Sequence, residues 1–200
     1  MSPRRYDRTL RQAASEEARR RIVEAAAGLH AKHGAHATSH AMIAHEAGVS
    51  LPTVYKYFPT GNDLIPACTG LVAARAPLAL DEGIFKGLSR VPDRVRALAR
   101  AVFRLHDYFS PWLRWSGAAA AVFPALRAFQ HEVQQGRLKL IRKALTPEGA
   151  RAPEEALLLL AQVLLDFPSW KTLTATGTPS DRAAAVVADA ILTLYRSHRN

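Results

Sequence analysis

Apolar residues recur every three or four positions along most of the chain, which is the spacing of helices that bury one face. The first stripe consists of Ile22, Ala25, Ala26 and Leu29. Ser15 is the predicted cap of this helix, because a serine oxygen accepts hydrogen bonds from a first turn, and Gly34 is its predicted end. Later stripes occupy residues 92–109, 123–145, 154–170 and 180–196. The pattern predicts an all-α protein.

Two shorter helices are predicted between Thr38 and Phe58. Thr38 is the expected cap of the first helix. Gly48 stands where the chain must turn, at a position that often requires positive φ. Ser50 caps the second helix, and Pro52 lies in its first turn, where a missing N–H group costs little. The spacing therefore predicts a helical hairpin with a tight turn.

The second of these helices, Leu51–Phe58, is too short to be stable alone. Val54 and Phe58 lie four residues apart and form its predicted inner face. Its outer face carries hydroxyl, phenol and ammonium groups, which suit a DNA groove and its phosphates. A helical hairpin with an ordinary polar surface is the alternative. The candidate DNA-binding residues are Thr38, Ser50, Leu51, Pro52, Thr53, Tyr55, Lys56 and Tyr57.

Two sequence motifs carry a family resemblance. They are R-I-V-E-A-A-A-G-L-H-A-K-H-G (Arg21–Gly34) and I-A-x-E-A-G-V-S-x-x-T-V-Y-x-Y-F-P-T-x-x-D-L (Ile43–Leu64). Together they resemble the N-terminal domain of TetR-family transcriptional regulators. The resemblance implies an all-helical dimer, in which a three-helix helix-turn-helix DNA-binding head is joined to a larger helical ligand-binding and dimerisation body. This family often has lysine where Gly61 stands, so the phosphate contact of that lysine is missing here.

The expected domains are a flexible basic arm over residues 1–14, a helix-turn-helix domain over 15–60 and a ligand-binding and dimerisation domain over 61–200. The arm carries four arginines, at positions 4, 5, 8 and 11, which either follow DNA phosphates or a minor groove or belong to a solvated tail. A connecting helix is expected from Thr60 to about Leu80, where Pro66 and Pro77 would bend or break it.

The body contains aromatic residues with a few polar partners, the composition of many small-molecule sites. An ordinary aromatic core is the alternative. Asp166 is notable, because a carboxylate beside an apolar stretch needs a partner, either a cationic ligand or a buried arginine. The candidate ligand-binding residues are Phe103, His106, Trp112, Trp115, Phe123, Gln130, Asp166 and Trp170.

The last two predicted helices, over residues 154–170 and 180–196, are strongly apolar. The first of them is apolar on nearly all sides, so it must be covered by several neighbours. Pairing of both helices with their copies in a second chain would form a four-helix bundle, and packing within one chain is the alternative. The family resemblance favours the homodimer.

The net charge is +10 and the pI is about 10.3, which suits a polyanionic partner. Residues 1–60 carry nine Lys/Arg and five Asp/Glu, so their net charge is only +4 and the excess is spread along the chain. The single cysteine, Cys68, fits a reducing cytoplasm and is expected to be a buried thiol and not a sensor. Neither a secretory signal nor a bilayer-spanning run is found, so we expect a cytoplasmic protein without a membrane partner.

Motifs for nucleophilic catalysis, phosphate loops or metal sites are not found in the sequence, so no enzyme activity, metal or cofactor is predicted. Five histidines fall between His30 and His45, but their spacing does not match a metal site. The favoured function is a homodimeric, ligand-responsive regulator of transcription. We expect a repressor that binds a near-palindromic double-stranded DNA operator through Leu51–Phe58 and is released by an unknown small-molecule effector. The alternatives are a helical small-molecule binding protein whose head no longer reads DNA sequence, and a helical-bundle enzyme.

Overall fold

The computed structural model describes residues 3–146 and 153–197, with side chains from residue 9 onward, and is all-α as predicted. The described residues form ten α-helices and two short 3-10 turns, Ala35–Ala37 and Glu82–Phe85. The helices are α1 (Pro3–His33), α2 (His40–Ala47), α3 (Leu51–Tyr57), α4 (Gly61–Ala74), α5 (Val91–Leu113), α6 (Ser116–Val122), α7 (Pro124–Leu145), α8 (Glu155–Leu164), α9 (Phe167–Thr174) and α10 (Ser180–Ser197).

The chain divides into two compact units. The first contains the residues up to Arg75 together with Arg114–Phe129, and the second contains Ala76–Leu113 together with the residues from Gln130 onward. The unit that contains α2 and α3 is therefore larger than the head predicted over residues 15–60, because a segment more than fifty positions further along the chain belongs to it.

Helix α1 begins at Pro3 and not at Ser15. The intervening residues are mostly Arg, Gln, Ala and Leu, which favour helix, so the helix continues through the segment predicted as a flexible arm. The Ser15 side chain does not cap a helix, because its hydroxyl is bonded to the Tyr57 hydroxyl at 2.7 Å. The side chains of Arg4, Arg5 and Arg8 lie outside the described residues.

The first unit buries the predicted stripe of α1 against α2, α3 and α4. Its core side chains include Ile22, Ile43, Val54 and Leu64, each at most 1% exposed. Cys68 is also buried here, and burial raises the pKa of its thiol to about 12. A thiol with so high a pKa is almost entirely protonated at neutral pH, which makes it a poor nucleophile, as expected for a core cysteine.

The second unit is built around α5 and α10, with α7, α8 and α9 packed on the same core. The predicted stripes are largely buried, as shown by Leu98, Val102, Ile141 and Ile191, each at most 2% exposed. Helix α5 continues through Pro111 to Leu113, beyond its predicted end at residue 109. Residues 147–152, between α7 and α8, lie outside the described part of the chain.

The single helix predicted over residues 154–170 is two helices in the structure. Helix α8 ends at Leu164, Asp166 has extended backbone, and α9 starts at Phe167 at an angle of 48° to α8. Pro168 fits the break, because it lacks the N–H group that would continue α8 and is tolerated in the first turn of α9. Across the described ranges, no single helix is long and apolar enough to cross a membrane. Only α8 and α9 taken together are long and apolar enough, and they are bent by 48° where they meet.

Candidate DNA-binding surface

The first helix of the predicted hairpin is capped by Ser39 and not by Thr38. The Ser39 hydroxyl accepts a hydrogen bond from the Met42 N–H at 3.2 Å. Thr38 cannot take this role, because it ends the preceding 3-10 turn and its hydroxyl donates to the Gly34 carbonyl at 2.8 Å. Thr38 therefore holds the end of α1 to the hairpin.

The turn between α2 and α3 has the predicted geometry. Gly48 adopts a left-handed conformation, with φ 61° and ψ 42°, which side chains with a Cβ atom rarely adopt. The Val49 N–H donates to the Ala44 carbonyl at 3.0 Å, which closes the end of α2. Ser50 then caps α3 by accepting from the Thr53 N–H at 3.3 Å, as predicted.

Helix α3 has one buried face and one exposed face. Val54 is fully buried, and Phe58, the residue that follows the last turn, is 3% exposed. Leu51, Tyr55 and Lys56 are exposed, together with Pro52. Burial of Val54 and Phe58 thus fixes which side chains of α3 face solvent.

Tyr55 is held in place by His40 of α2. The two rings stack with centroids 4.7 Å apart, and the interplanar angle is 11°. The His40 Nε2 atom lies 2.8 Å from the Phe58 carbonyl oxygen. The structure thus gives His40 a positioning role within the hairpin. The spacing of His40 and Tyr55 in the sequence gave no signal for this contact.

Four of the candidate DNA-binding residues have hydroxyl groups engaged within the protein, and two of them, Thr38 and Ser50, are described above. Tyr57 is half-buried and is bonded to Ser15 in α1 at 2.7 Å. Thr53 is half-buried, and its hydroxyl lies 2.7 Å from that of Ser50. The Lys56 ammonium lies 5.5 Å from the centre of the Tyr57 ring, over its face. The surface available to a partner therefore consists mainly of Leu51, Pro52, Tyr55 and Lys56.

The start of α4 lies close to Phe123. Thr60 caps α4, and a reciprocal capping box joins it to Asp63. A Cβ atom added to Gly61 would lie 2.5 Å from Cε1 of Phe123. Any side chain at position 61, lysine included, would therefore have to displace the Phe123 ring.

Gly61→Ala is expected to destabilise the first unit by about 1–2 kcal/mol, because the added methyl group overpacks against Phe123. In a Phe123→Ala background the same change should instead stabilise by about 0.5 kcal/mol, since alanine favours helix over glycine. Urea unfolding of the four proteins of this cycle measures both effects. Gly70→Ala is the control, because a Cβ atom there would meet nothing within 4 Å. Equal effects of Gly61→Ala in both backgrounds would contradict the contact.

The candidate ligand-binding residues do not form one site. Trp115 and Phe123 belong to the first unit, where the Trp115 Nε1 atom donates to the Ala31 carbonyl at 3.2 Å.

In the second unit, His106 packs against Phe103 and Trp170, with ring centroids 5.9 and 6.2 Å apart. The Trp170 Nε1 atom donates to Ser180 at 2.8 Å. This second group packs as an aromatic core. Trp112 lies elsewhere in the second unit and packs against Tyr108, and Gln130 is half-buried.

His106 is neutral at pH 7, because burial lowers its pKa to about 4. Its Nε2 atom lies 3.1 Å from the Leu165 carbonyl oxygen. A carbonyl can only accept, so Nε2 carries the proton and donates. This hydrogen bond thus connects α5 to Leu165, the residue just before the break between α8 and α9.

The stability of the second unit is expected to fall by about 1 kcal/mol between pH 7 and pH 5.5 through His106. The unfolded histidine has a pKa near 6.5, so it takes up a proton before the folded one does. The stabilisation is therefore complete above pH 6.5 and is lost as the pH falls toward 4. His106→Phe should remove this part of the pH dependence, whereas His131→Phe, at an exposed site on α7, should not. Urea unfolding at both pH values distinguishes the variants, and an unchanged slope in His106→Phe would contradict the assignment.

Asp166 is paired with a buried arginine, one of the two partners considered from the sequence. Its Oδ1 atom lies 2.9 Å from Nη2 of Arg137, whose side chain is only 5% exposed. The Arg137 Nε atom is also 3.4 Å from the side-chain oxygen of Gln162. The carboxylate is therefore engaged inside the second unit.

A cavity of about 350 Å³ lies elsewhere in the second unit, beside α7 and α8. None of the candidate ligand-binding residues lines it. Its walls are formed by Leu138, Arg142, Pro153, Glu155, Leu158 and Leu159. Sequence reasoning missed these residues because it selected aromatic side chains. Within the described part of the chain, His, Cys, Asp and Glu side chains form no group of three or more that could hold a metal ion.

Two short helices joined by a left-handed glycine, with the capped second helix exposing Tyr55 and Lys56, define a helix-turn-helix. Residues 22–68 match the family model described as bacterial regulatory proteins, tetR family. Residues 22–68 therefore carry the N-terminal domain of the tetR family of bacterial regulatory proteins, as the motifs implied. No curated protein is significantly similar to the chain.

Several solved structures share the fold over most of the chain. A protein described as a transcriptional regulator, SCO7518 from Streptomyces coelicolor A3(2), is 20% identical, with a TM-score of 0.64, and the match covers 90% of this chain and 98% of that one. The multidrug binding protein EbrR, complexed with ethidium, is 22% identical, with a TM-score of 0.56 and coverages of 86% and 96%. The SmeT–triclosan complex is 16% identical, with a TM-score of 0.58 and coverages of 88% and 90%. At these identities the similarity shows the fold alone.

Proposed function

We propose that this protein is a homodimeric TetR-family repressor that binds a near-palindromic operator through α3 and is released by a small molecule bound in the second unit. One observation carries the DNA-binding part of the proposal. Val54 and Phe58 are buried, so that α3 presents Leu51, Tyr55 and Lys56 to solvent on a preformed, capped helix. A recognition helix in a major groove requires this arrangement.

The exposed residues of α3 divide into base-reading and phosphate-binding groups. Lys56 is a flexible donor that suits the O6 and N7 acceptors of guanine. Leu51 and Pro52 offer apolar contact to a thymine methyl group but no side-chain hydrogen bonds. Tyr55, fixed by the His40 ring, is positioned to donate to a phosphate from its hydroxyl. Sequence specificity would then depend on Lys56 and on DNA shape.

The homodimer is supported by apolar surface on α8 and α10. Helix α8 buries Leu157, Leu158 and Ala161 within its own unit, yet its opposite face is also apolar. That face consists of Ala156, Leu159, Leu160 and Val163, whose spacing makes one continuous stripe, and the three larger residues are 45–61% exposed. On α10, Val186 is 52% exposed between Ala185 and Ala190. Such a patch is typical of a helix–helix interface, and a second copy of the chain would cover it.

The effector site is proposed at the cavity beside α7 and α8. Its volume of about 350 Å³ lies within the range of small-molecule sites. Leucine side chains form much of its wall, and Arg142 and Glu155 are charged residues that also line it. The structural relatives that bind ethidium and triclosan support an aromatic effector. Leu159 lines the cavity and also belongs to the exposed stripe of α8, so a bound molecule would act directly on the proposed dimer surface.

Selection of bound duplexes from a random DNA pool tests the proposal. At about 0.15 M salt, weak nonspecific contacts are screened, and we expect an inverted repeat with half-sites about one helical turn (roughly 34–36 Å) apart. Release is then measured by fluorescence anisotropy of the recovered duplex during titration with triclosan, because ethidium would intercalate into the DNA itself. Recovery of no motif by folded, dimeric protein would support the alternative, a small-molecule binding protein that does not read DNA.

A further inference from the structure

The first unit contains a cavity of its own. Its volume is about 180 Å³, and its walls come from α1, the first 3-10 turn, α2, α4 and the residue that follows α6. It is distinct from the cavity beside α7 and α8, with which it shares no residue. It lies in the same unit as α3 and outside the proposed effector site.

Most of the wall is apolar. Ile43, Leu64 and Ile65 supply aliphatic surface, and Phe123 supplies an aromatic ring. An apolar cavity of about 150 Å³ accepts benzene and stays free of water. A cavity of about 180 Å³ is therefore large enough for a benzene ring with one or two substituents.

One polar side chain in this wall lacks a partner. The His30 side chain lines the cavity and is only 8% exposed, and its imidazole makes no hydrogen bond to any of the described residues. Burial lowers its pKa to about 4, so the ring is neutral at pH 7 and offers one donor and one acceptor nitrogen. An occupant that bonds to this imidazole gains a hydrogen bond that the described protein groups do not supply.

Water is the competing occupant. The cavity volume corresponds to about six water molecules. Each buried water needs two to four polar partners, whereas the wall offers few beyond His30, His40 and Thr38. An organic molecule satisfies His30 with one group and covers the apolar wall with the rest, which a water cluster cannot do.

We propose that this cavity is a binding site for a small neutral aromatic molecule that carries one hydroxyl or N–H group. The ring packs against Phe123 and Ile43, and the polar group bonds to the imidazole of His30. His40 also lines the cavity and contacts both Tyr55 and the Phe58 carbonyl. The bound molecule would thus lie beside His40, which in turn contacts Tyr55 of α3.

Fluorine NMR titrations of the full chain with 4-fluorophenol and with fluorobenzene test the site. The two probes are similar in size, and only the first can donate to a histidine nitrogen. We expect saturable binding of both, with 4-fluorophenol bound about ten-fold tighter, because one additional neutral hydrogen bond contributes up to about that factor. Equal affinities, or no saturable binding, would overturn the proposal.

Two variants and one control localise the binding. His30→Phe keeps a ring of similar size without nitrogen atoms, so both probes should bind within about two-fold of each other. Ala35→Leu fills the cavity, because Ala35 is buried in its wall, and should abolish binding of both probes. Ala37→Leu makes the same change at an exposed position of the same 3-10 turn and should bind as the wild type does. Retention of the ten-fold preference in His30→Phe would overturn the proposal even if Ala35→Leu fails to fold.

Discussion

Lys56→Ala is expected to weaken operator binding by a factor of roughly 30 to 10⁴. One side chain that reads a base contributes about 1–3 kcal/mol, and a homodimer loses this contribution in both half-sites. The exposed position of Lys56 on α3 supports this role. Fluorescence anisotropy with the selected operator at fixed salt measures the loss. Discrimination between operator and scrambled duplex should fall as well, because a base contact carries sequence information and a phosphate contact does not.

Lys32→Ala is the matched control for this experiment. Lys32 is an exposed lysine in the last turn of α1, in the same unit, so its removal changes the net charge by the same amount. We expect it to change affinity less than about three-fold, as a general electrostatic effect. Lys56 also lies over the Tyr57 ring, so urea unfolding must show that the variant is folded. A folded Lys56→Ala protein with full operator affinity would contradict the assignment of α3 as the recognition helix.

Asp166→Ala is expected to destabilise the second unit by about 2–4 kcal/mol. The change leaves the Arg137 guanidinium, which is 5% exposed, with only the Gln162 side chain as a nearby acceptor. Breaking a fully buried ion pair costs about 3–5 kcal/mol, and the lower estimate here reflects the 41% exposure of Asp166. Urea unfolding followed through Trp112 and Trp170, which lie in this unit, measures the loss.

Arg137→Met distinguishes the stability lost with the ion pair from the stability lost by leaving a buried charge unpaired. Methionine fills a similar volume without a charge, so Arg137→Met should be less harmful than Asp166→Ala, and adding it to Asp166→Ala should restore stability. Asp189→Ala is the control, since its partner Arg96 lies 3.3 Å away at an exposed surface, and it should cost less than about 0.5 kcal/mol. The interpretation is wrong if Arg137→Met proves the more destabilising of the two single changes.

The helix-turn-helix could be predicted from the sequence because its signals are local. Gly48 and Ser50 lie where a turn and a cap are needed, and the structure has both. The cap of α2 was misplaced by one residue, because Thr38 and Ser39 are adjacent and both have hydroxyls. The choice between them depends on the 3-10 turn before α2, which engages Thr38 with the Gly34 carbonyl. Periodicity gives no signal for that turn.

Features that depend on distant contacts could not be predicted. The Phe123 ring lies against Gly61, which is 62 positions away in the sequence. Arg137 pairs with Asp166, which is 29 positions away. Aromatic composition also did not distinguish a ligand site from a core, because both bury rings. In the second unit, His106 has aromatic neighbours and a backbone partner, as core residues do.

The hydrogen bond between Ser15 and Tyr57 has a consequence for exchanging heads between related regulators. The family model begins at residue 22, where the core of the first unit also begins, so this residue is the natural place to join a chimera. A junction there would keep the core stripe from Ile22 onward but remove Ser15, which holds the Tyr57 hydroxyl at the end of α3. A transplanted head must therefore include about two further turns of α1, residues 15–21, or the hydrogen bond that holds the Tyr57 hydroxyl at the end of α3 is lost.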